Sequence, residues 1–176
     1  MTTSFAFKDA QHGADLFSLS KLGPIYTRIM NPTNHTMEYR VAKLEGAPCP
    51  LHGDCDNAAT LPSALAVASG QSAQMQAMLT FMQAGDNFVC SSELYGGSYT
   101  LFVHTFAQLG IGCRLYDVTK PGSIEALIDE DTKAIYVETI GNPSYNVPDF
   151  AATSAIAKVS RHPPPHRALR LGKVGF

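Results

Sequence analysis

Asn87-Phe88-Val89-Cys90-Ser91-Ser92-Glu93-Leu94-Tyr95-Gly96-Gly97-Ser98 reads as a short apolar strand, Asn87–Ser91, that breaks at a tyrosine and a glycine pair. A helix follows from Ser98 to Leu109 and stops at Gly110, where a residue without a side chain ends helical patterning. The same alternation continues outward. Downstream, Ile111–Tyr116 reads as a strand, Ser123 caps a short helix through Ile128, Lys133–Thr139 is a strand, and Asp149 caps a last helix from Phe150. Upstream, Leu65-Ala66-Val67-Ala68 reads as a buried strand feeding a helix from Gln71 to Gln83, which Ala84-Gly85-Asp86 stops. Strands alternating with helices predict right-handed βαβ units. The expected fold is α/β, a mainly parallel sheet covered by helices on both faces.

The flanks read differently. Residues 1–46 hold a weakly amphipathic stretch, Asp9 to Leu22, with Ala10, Ala14 and Phe17 on one face, then an extended run Ile25–Met30. Thr33 or Asn34 is expected to cap a helix reaching Glu45, with Met37, Val41 and Leu44 as its apolar face and Gly46 as its stop. Residues 47–62 form a Pro/Gly/Asp-rich insertion loop, 63–159 the α/β domain, and 160–176 a Pro-rich, basic tail in which Pro163-Pro164-Pro165 cannot continue a helix.

With 45% hydrophobic and 16% charged residues, the 176-residue chain is globular and of single-domain size. The net charge of -2, without any Lys/Arg block, argues against a nucleic-acid or anionic-membrane surface. No run of about 18 apolar residues predicts a transmembrane helix, and no secretory leader pattern opens the chain. A cytoplasmic protein with reduced thiols is expected. Cys90 and Cys113 read as buried free thiols in strands. Cys49, His52 and Cys55 lack the Cys-x2–4-Cys spacing of a structural zinc site, so no metal is expected.

Several positions carry binding chemistry. Ser69-Gly70-Gln71 joins a strand end to a helix start, where Gly70 permits close approach and the first amides lack helix partners, a ready anion site. Neither a G-x-G-x-x-G fingerprint nor a Walker A loop is present. Tyr95 follows a strand end, where open α/β sheets bind ligands and a ring can stack on a flat heterocycle. Tyr26 and Arg28, two apart on an extended segment, would point to one side as phosphate donors. Glu138 and Asn142 close another strand end before an Asn-Pro turn. Each position also has a plain structural reading: a connection, a core-edge tyrosine, a surface arginine, a turn.

Read together, Tyr26-Thr27-Arg28-Ile29-Met30-Asn31-Pro32-Thr33, Ser69-Gly70-Gln71, Tyr95-Gly96-Gly97 and Glu138-Thr139-Ile140-Gly141-Asn142-Pro143 resemble the pyridoxal-phosphate enzymes of cysteine and methionine metabolism, nearest to the O-acetylhomoserine sulfhydrylases. The resemblance covers roughly Thr2 to Ala157 and implies a fold-type I large domain. It implies that main-chain amides of Gly70 and Gln71, beside Ser69, hold the phosphate of pyridoxal 5'-phosphate. Tyr95 would stack on the pyridine ring as the candidate catalytic residue, with Glu138 and Asn142 beside the ring. Tyr26 and Arg28 would reach the phosphate in the neighbouring subunit of a homotetramer. The implied reaction takes O-acetylhomoserine, an amino-acid ester, and sulfide to homocysteine and acetate, a trans-sulfuration step. The family's pyridinium-pairing Asp has no counterpart here, and none of Lys8, Lys21, Lys43, Lys120, Lys133, Lys158 and Lys173 lies in the family's Ser-x-Thr-Lys context. The resulting expectation is a fragment, inactive alone. The alternatives are a non-catalytic piece associating with an intact paralogue, or a γ-synthase or γ-lyase relative.

Overall fold

The computed structural model describes residues 2–47, 63–159 and the backbone of 169–173. The described chain separates into two units, Met1–Ala68 and Ser69–Phe176. The Cys49/His52/Cys55 stretch lies outside the described residues, and no cluster of three or more His, Cys, Asp or Glu occurs among those described. No described helix is long and apolar enough to cross a membrane.

In the first unit, α1 (Ala10–Phe17) is capped by Asp9, whose carboxyl accepts the His12 N–H at 2.7 Å. It turns Gly13 and Leu16 inward rather than the predicted Ala10/Ala14/Phe17 face, and Phe17 is exposed. The reason is local: the Phe7 ring lies against Gly13, where a side chain would crowd it. The next helix, α2 (Pro32–Leu44), starts earlier than expected, because Asn31 rather than Thr33 or Asn34 supplies the cap, accepting from the Thr33 N–H at 2.9 Å. Pro32 fits the first position, where no N–H is needed. Gly46 ends α2 as expected. Its φ of 63° lets its N–H reach Lys43 O at 3.2 Å and the Ala47 N–H reach Ala42 O at 2.9 Å. The predicted apolar face is reversed here too: His35 and Ala42 are buried, while Met37, Val41 and Leu44 are exposed.

The expected strand Leu65–Ala68 does not form. Its Ala66 N–H is spent on Glu38 Oε1 at 2.8 Å, a side-chain acceptor that replaces a ladder partner, and Leu65 is exposed.

The second unit is the α/β layer. After α3 (Gly70–Leu79) comes β1 (Asn87–Ser91), buried along its whole length. A helix follows in three parts: α4 (Gly96–Tyr99), a wide-turn segment Thr100–Thr105 and α5 (Phe106–Gln108). Then come β2 (Gly112–Tyr116), two short 3-10 turns at Pro121–Ser123 and Glu125–Leu127, and β3 (Thr132–Glu138). The predicted helix from Ser123 to Ile128 is thus reduced to those turns. The unit continues with α6 (Phe150–Val159), where Asp149 accepts the Ala152 N–H at 2.9 Å as predicted, and β4 (Leu169–Lys173).

All strand pairs are parallel, in the order β2-β1-β3-β4. The strand β4 corrects the reading of 160–176 as a tail without a strand. It pairs Ala134–Glu138 with Leu169–Lys173, giving backbone partners to an edge of β3 that would otherwise carry an unpaired row of N–H and C=O groups.

The period of two along the strands sorts the core onto two faces. Phe88, Cys90, Ala134 and Tyr136 face Met78, Phe102 and Phe106 of the helices on one side. Val89, Ile135, Val137 and Tyr116 face Ile124 and Ala157 on the other. Phe102 packs edge-on against both Phe88 and Tyr136, with centroids 5.1 and 4.8 Å away. Cys90 and Cys113 are free thiols, Cys90 fully buried as predicted and Cys113 only half-buried; burial, and then the Cys113 thiol beside it, pushes the Cys90 thiol well up from its ordinary range.

The amino ends of the strands are tied by polar contacts. Asn87 Nδ2 donates to Asp129 Oδ1 at 2.8 Å, Thr132 Oγ1 donates to Asn87 Oδ1 at 2.7 Å, and Arg114 pairs with Asp129.

Two outcomes follow from this packing. Phe102→Ala should lose about 3–5 kcal/mol of stability, read from the denaturant midpoint, because a fully buried ring with aromatic neighbours on both sides leaves a cavity. The Asn87 hydrogen bond, then the Arg114 contact, hold the Asp129 carboxyl below its usual range. A lowered carboxyl contributes stability that is present above its unfolded pKa and is lost as pH falls through the folded value. Asn87→Ala should therefore bring the Asp129 carboxyl titration, followed by carbon NMR, back up toward the ordinary range; an unchanged titration would refute the attribution.

Candidate active site

The order β2-β1-β3-β4 places a reversal between β1 and β3. The chain leaves β1 toward β2 on one side and leaves β3 toward β4 on the other. Opposite directions with right-handed crossovers call for helices on opposite faces, and this is where α4–α5 and α6 lie, against the two separate clusters. The carboxyl ends of the two strands at such a reversal are the usual ligand position in an open α/β sheet. The loop 92–95 leaves β1 there, and residues 139–149 leave β3.

Glu138 joins the two. It is the next residue after Ala134 and Tyr136 on the face that α4 covers, so the strand period sends its side chain under the start of that helix. It is 6% exposed, and both carboxyl oxygens are used: Oε2 accepts the Tyr95 N–H at 3.1 Å, and Oε1 accepts the Ser98 hydroxyl at 2.9 Å. Tyr136, one position down the same face, has its phenol pushed up in pKa by burial and then by Glu138.

Tyr95 itself is 49% exposed, with its ring folded over Gly97. A Cβ on Gly97 would lie 2.5 Å from the Tyr95 Cε1 and 3.0 Å from Gln71 Nε2. Gly97 is thus the floor that lets the Tyr95 ring and the start of α3 approach each other. At that start, Ser69 caps α3 by accepting the Ser72 N–H at 3.1 Å, which leaves the amides of Gly70 and Gln71 without helix partners. The Gln71 side-chain nitrogen is buried with no hydrogen-bond partner. A buried donor of that kind is costly unless something accepts from it.

Ser69, Gly70, Gln71, Tyr95 and Glu138 therefore occupy one end of one unit, and Gln71 and Tyr95 meet across Gly97. Asn142 lies in the same loop as the exit from β3 and is exposed. Its loop is held by Gly141 N–H to Asn146 O at 2.8 Å and by Ser144 Oγ to Glu93 Oε2 at 2.7 Å.

Tyr26 and Arg28 belong to the first unit. They are not on an extended segment as predicted: Tyr26 O accepts the N–H groups of Ile29 and Met30 at 3.0 and 3.1 Å, so the backbone turns between the two side chains. Arg28 is exposed and lines a cavity of about 440 Å³ with Asn34, His35 and Glu38.

Sequence reasoning missed Ser98, Glu93 and the role of Gly97. The adjacent Tyr95-Gly96-Gly97 motif was the available signal, since a glycine beside a ring marks a close approach.

A parallel sheet with a helix start, a ring over a glycine and a buried carboxyl at one end of its strands defines an open α/β domain. The model of the Cys/Met metabolism PLP-dependent enzyme family matches residues 1–163, and the chain belongs to that family. It is 48% identical over 156 residues to a homocysteine/cysteine synthase of Kluyveromyces lactis, covering 89% of this chain and 32% of that protein. It is 45% identical over 157 residues to an O-acetyl-L-homoserine sulfhydrylase of Leptospira meyeri, with 89% and 32% covered. The chain thus spans about a third of the length of these curated relatives. Among solved structures, an O-acetylhomoserine (thiol)-lyase of Campylobacter jejuni bearing a pyridoxyl-lysine monophosphate superposes with a TM-score of 0.80 at 31% identity, covering 98% of this chain and 38% of that one. The architecture is that of fold-type I pyridoxal-phosphate enzymes.

Gly97→Ala should leave the fold intact, because the atom its Cβ meets first belongs to an exposed, movable ring. The expected change is a displaced Tyr95 ring, seen as shifted Tyr95 aromatic proton resonances. A spectrum identical to wild type would contradict the close packing described here.

Proposed function

We propose that this chain forms the phosphate- and ring-binding part of the cofactor site of an O-acetylhomoserine sulfhydrylase, the reaction that takes O-acetylhomoserine and sulfide to homocysteine and acetate. The observation that carries the reading is the buried, unpartnered Gln71 nitrogen at the start of α3, beside the Tyr95 ring. The residues present fit pyridoxal 5'-phosphate. The free amides of Gly70 and Gln71 and the positive end of α3 favour a phosphate. The half-exposed Tyr95 ring offers a face to a pyridine ring. When bound, that group supplies an electron sink for bond breaking next to the amino acid's α-carbon.

The chain's own residues orient and exclude. Ser69 shapes the helix start by capping it, so the next amides stay available. Glu138 holds the Tyr95 backbone in place, and Asn142 stands in the loop that borders the ring. Tyr26 and Arg28 serve a second copy's phosphate in a homo-oligomer, the family's tetramer, in the cytoplasm. Arg28 is suited to this because it is exposed and has no carboxylate partner among the described residues.

No Ser-x-Thr-Lys sequence occurs in the chain. Within the α/β unit, Lys133 lies at the opposite end of β3 from Glu138 and pairs with Asp86 at 3.4 Å, and Lys120 pairs with Asp117. Lys173 closes β4 in backbone register with Glu138.

Pyridoxal phosphate added to the purified chain should therefore bind reversibly and weakly, with a dissociation constant on the order of millimolar or weaker, since a helix terminus contributes at most ~2 kcal/mol and one aromatic stack about 0.5–1.5 kcal/mol. Borohydride treatment and peptide mapping should label no single lysine, and no homocysteine should form from O-acetylhomoserine and sulfide. Gln71→Ala should weaken phosphate binding further. Stoichiometric labelling of one lysine with sulfide-dependent turnover would overturn the non-covalent reading, and absence of any saturable binding would overturn the site.

A further inference from the structure

We infer that Ser98 is a positioning residue for the cofactor's ring: its hydrogen bond to Glu138 sets the angle at which Tyr95 presents its face. The inference rests on the cofactor reading above. Ser98 is fully buried in the first turn of α4, where a serine has no packing advantage over alanine. Its hydroxyl donates to Glu138 Oε1 at 2.9 Å, while the other oxygen of the same carboxyl accepts the Tyr95 N–H at 3.1 Å. The carboxyl is therefore a two-point clamp on residues three apart, closing a ring through Tyr95, Gly96, Gly97 and Ser98.

Neither half of the clamp is free to move alone. Glu138 is anchored by the buried strand β3, paired on both sides. Gly96 has open space around it, and Gly97 has no side chain to brace the turn, so local backbone stiffness does not fix the Tyr95 ring. The ring instead leans on Gly97, 2.5 Å from where a Cβ would stand, with Gln71 Nε2 on the same floor. Releasing Oε1 lets the carboxyl rotate about its last bond and slackens the hold on the Tyr95 N–H. The Gly70 and Gln71 amides are on a different element, so the phosphate end should not feel the change. The consequence is a split: losing the Ser98 hydroxyl weakens recognition of a ring, not of a phosphate.

The test uses the full chain and two probes without an aldehyde, pyridoxine 5'-phosphate and inorganic phosphate, titrated by amide NMR. Wild type should prefer pyridoxine 5'-phosphate by up to about tenfold, the contribution of one aromatic stack. Ser98→Ala should keep its affinity for inorganic phosphate but reduce the preference to near unity, and Ser98→Thr, which keeps the hydroxyl, should restore it. Independently of any ligand, the Tyr95 amide should exchange with solvent about tenfold faster in Ser98→Ala, while core amides of β1 and β3 keep their protection. A preference that survives in Ser98→Ala, with Tyr95 amide exchange unchanged, overturns this inference alone. Failure of Ser98→Thr to restore the preference also overturns it. A wild-type chain that binds both probes equally sinks the cofactor reading and this inference with it.

Discussion

The Glu138 carboxyl is the constraint on which the arrangement at the strand ends depends. A parallel sheet brings the ends of β1 and β3 side by side, but it does not shape the loops that leave them. One buried carboxyl, placed by the strand period at the end of β3, takes hydrogen bonds from the Tyr95 backbone and the Ser98 side chain across from it. A buried carboxyl without partners would be costly, so the two donors and the acceptor hold one another in place. The Tyr95 ring, the glycine floor and the start of α3 are arranged around that point.

Much of this was legible in the sequence. The alternation of Phe88, Val89 and Cys90 with downstream turns gave β1, and Ile111 to Tyr116 and Lys133 to Thr139 gave β2 and β3 within a residue or two. Ser69-Gly70-Gln71 does open a helix, and Glu138 does close a strand, as their sequence context implied. What failed was the direction of helix faces. For α2, Met37, Val41 and Leu44 have helical spacing, yet His35 and Ala42 are the buried positions. Spacing gives a stripe but not which side has a partner, and short helices are set by what packs on them. In the same way, Leu65–Ala68 has the composition of a strand, but a strand requires a ladder partner, and Glu38 took the Ala66 N–H first.

Two kinds of polar contact divide the α/β unit by function. At the amino ends of the strands, Asn87, Arg114, Asp129 and Thr132 satisfy one another, as do Asp86 and Lys133. At the carboxyl ends, the Gln71 side-chain nitrogen and the Asn146 side-chain oxygen are buried without partners. A closed network serves stability, and open groups at the other end are where an incoming polar molecule gains most, because their desolvation cost is already met in the folded chain.

The central place of β1 also governs how the chain acquires its structure during synthesis. Both neighbours of β1 come later: Tyr116 must emerge before one edge is paired and Tyr136 before the other. At about 5–20 residues per second, the Phe88-Val89-Cys90 segment leaves the ribosome seconds before its second partner. For that interval an apolar strand with an open edge is the most association-prone part of the nascent chain, and the helix from Gly96 to Gln108, which follows it at once and covers Phe88 with Phe102 and Phe106, is its first shield.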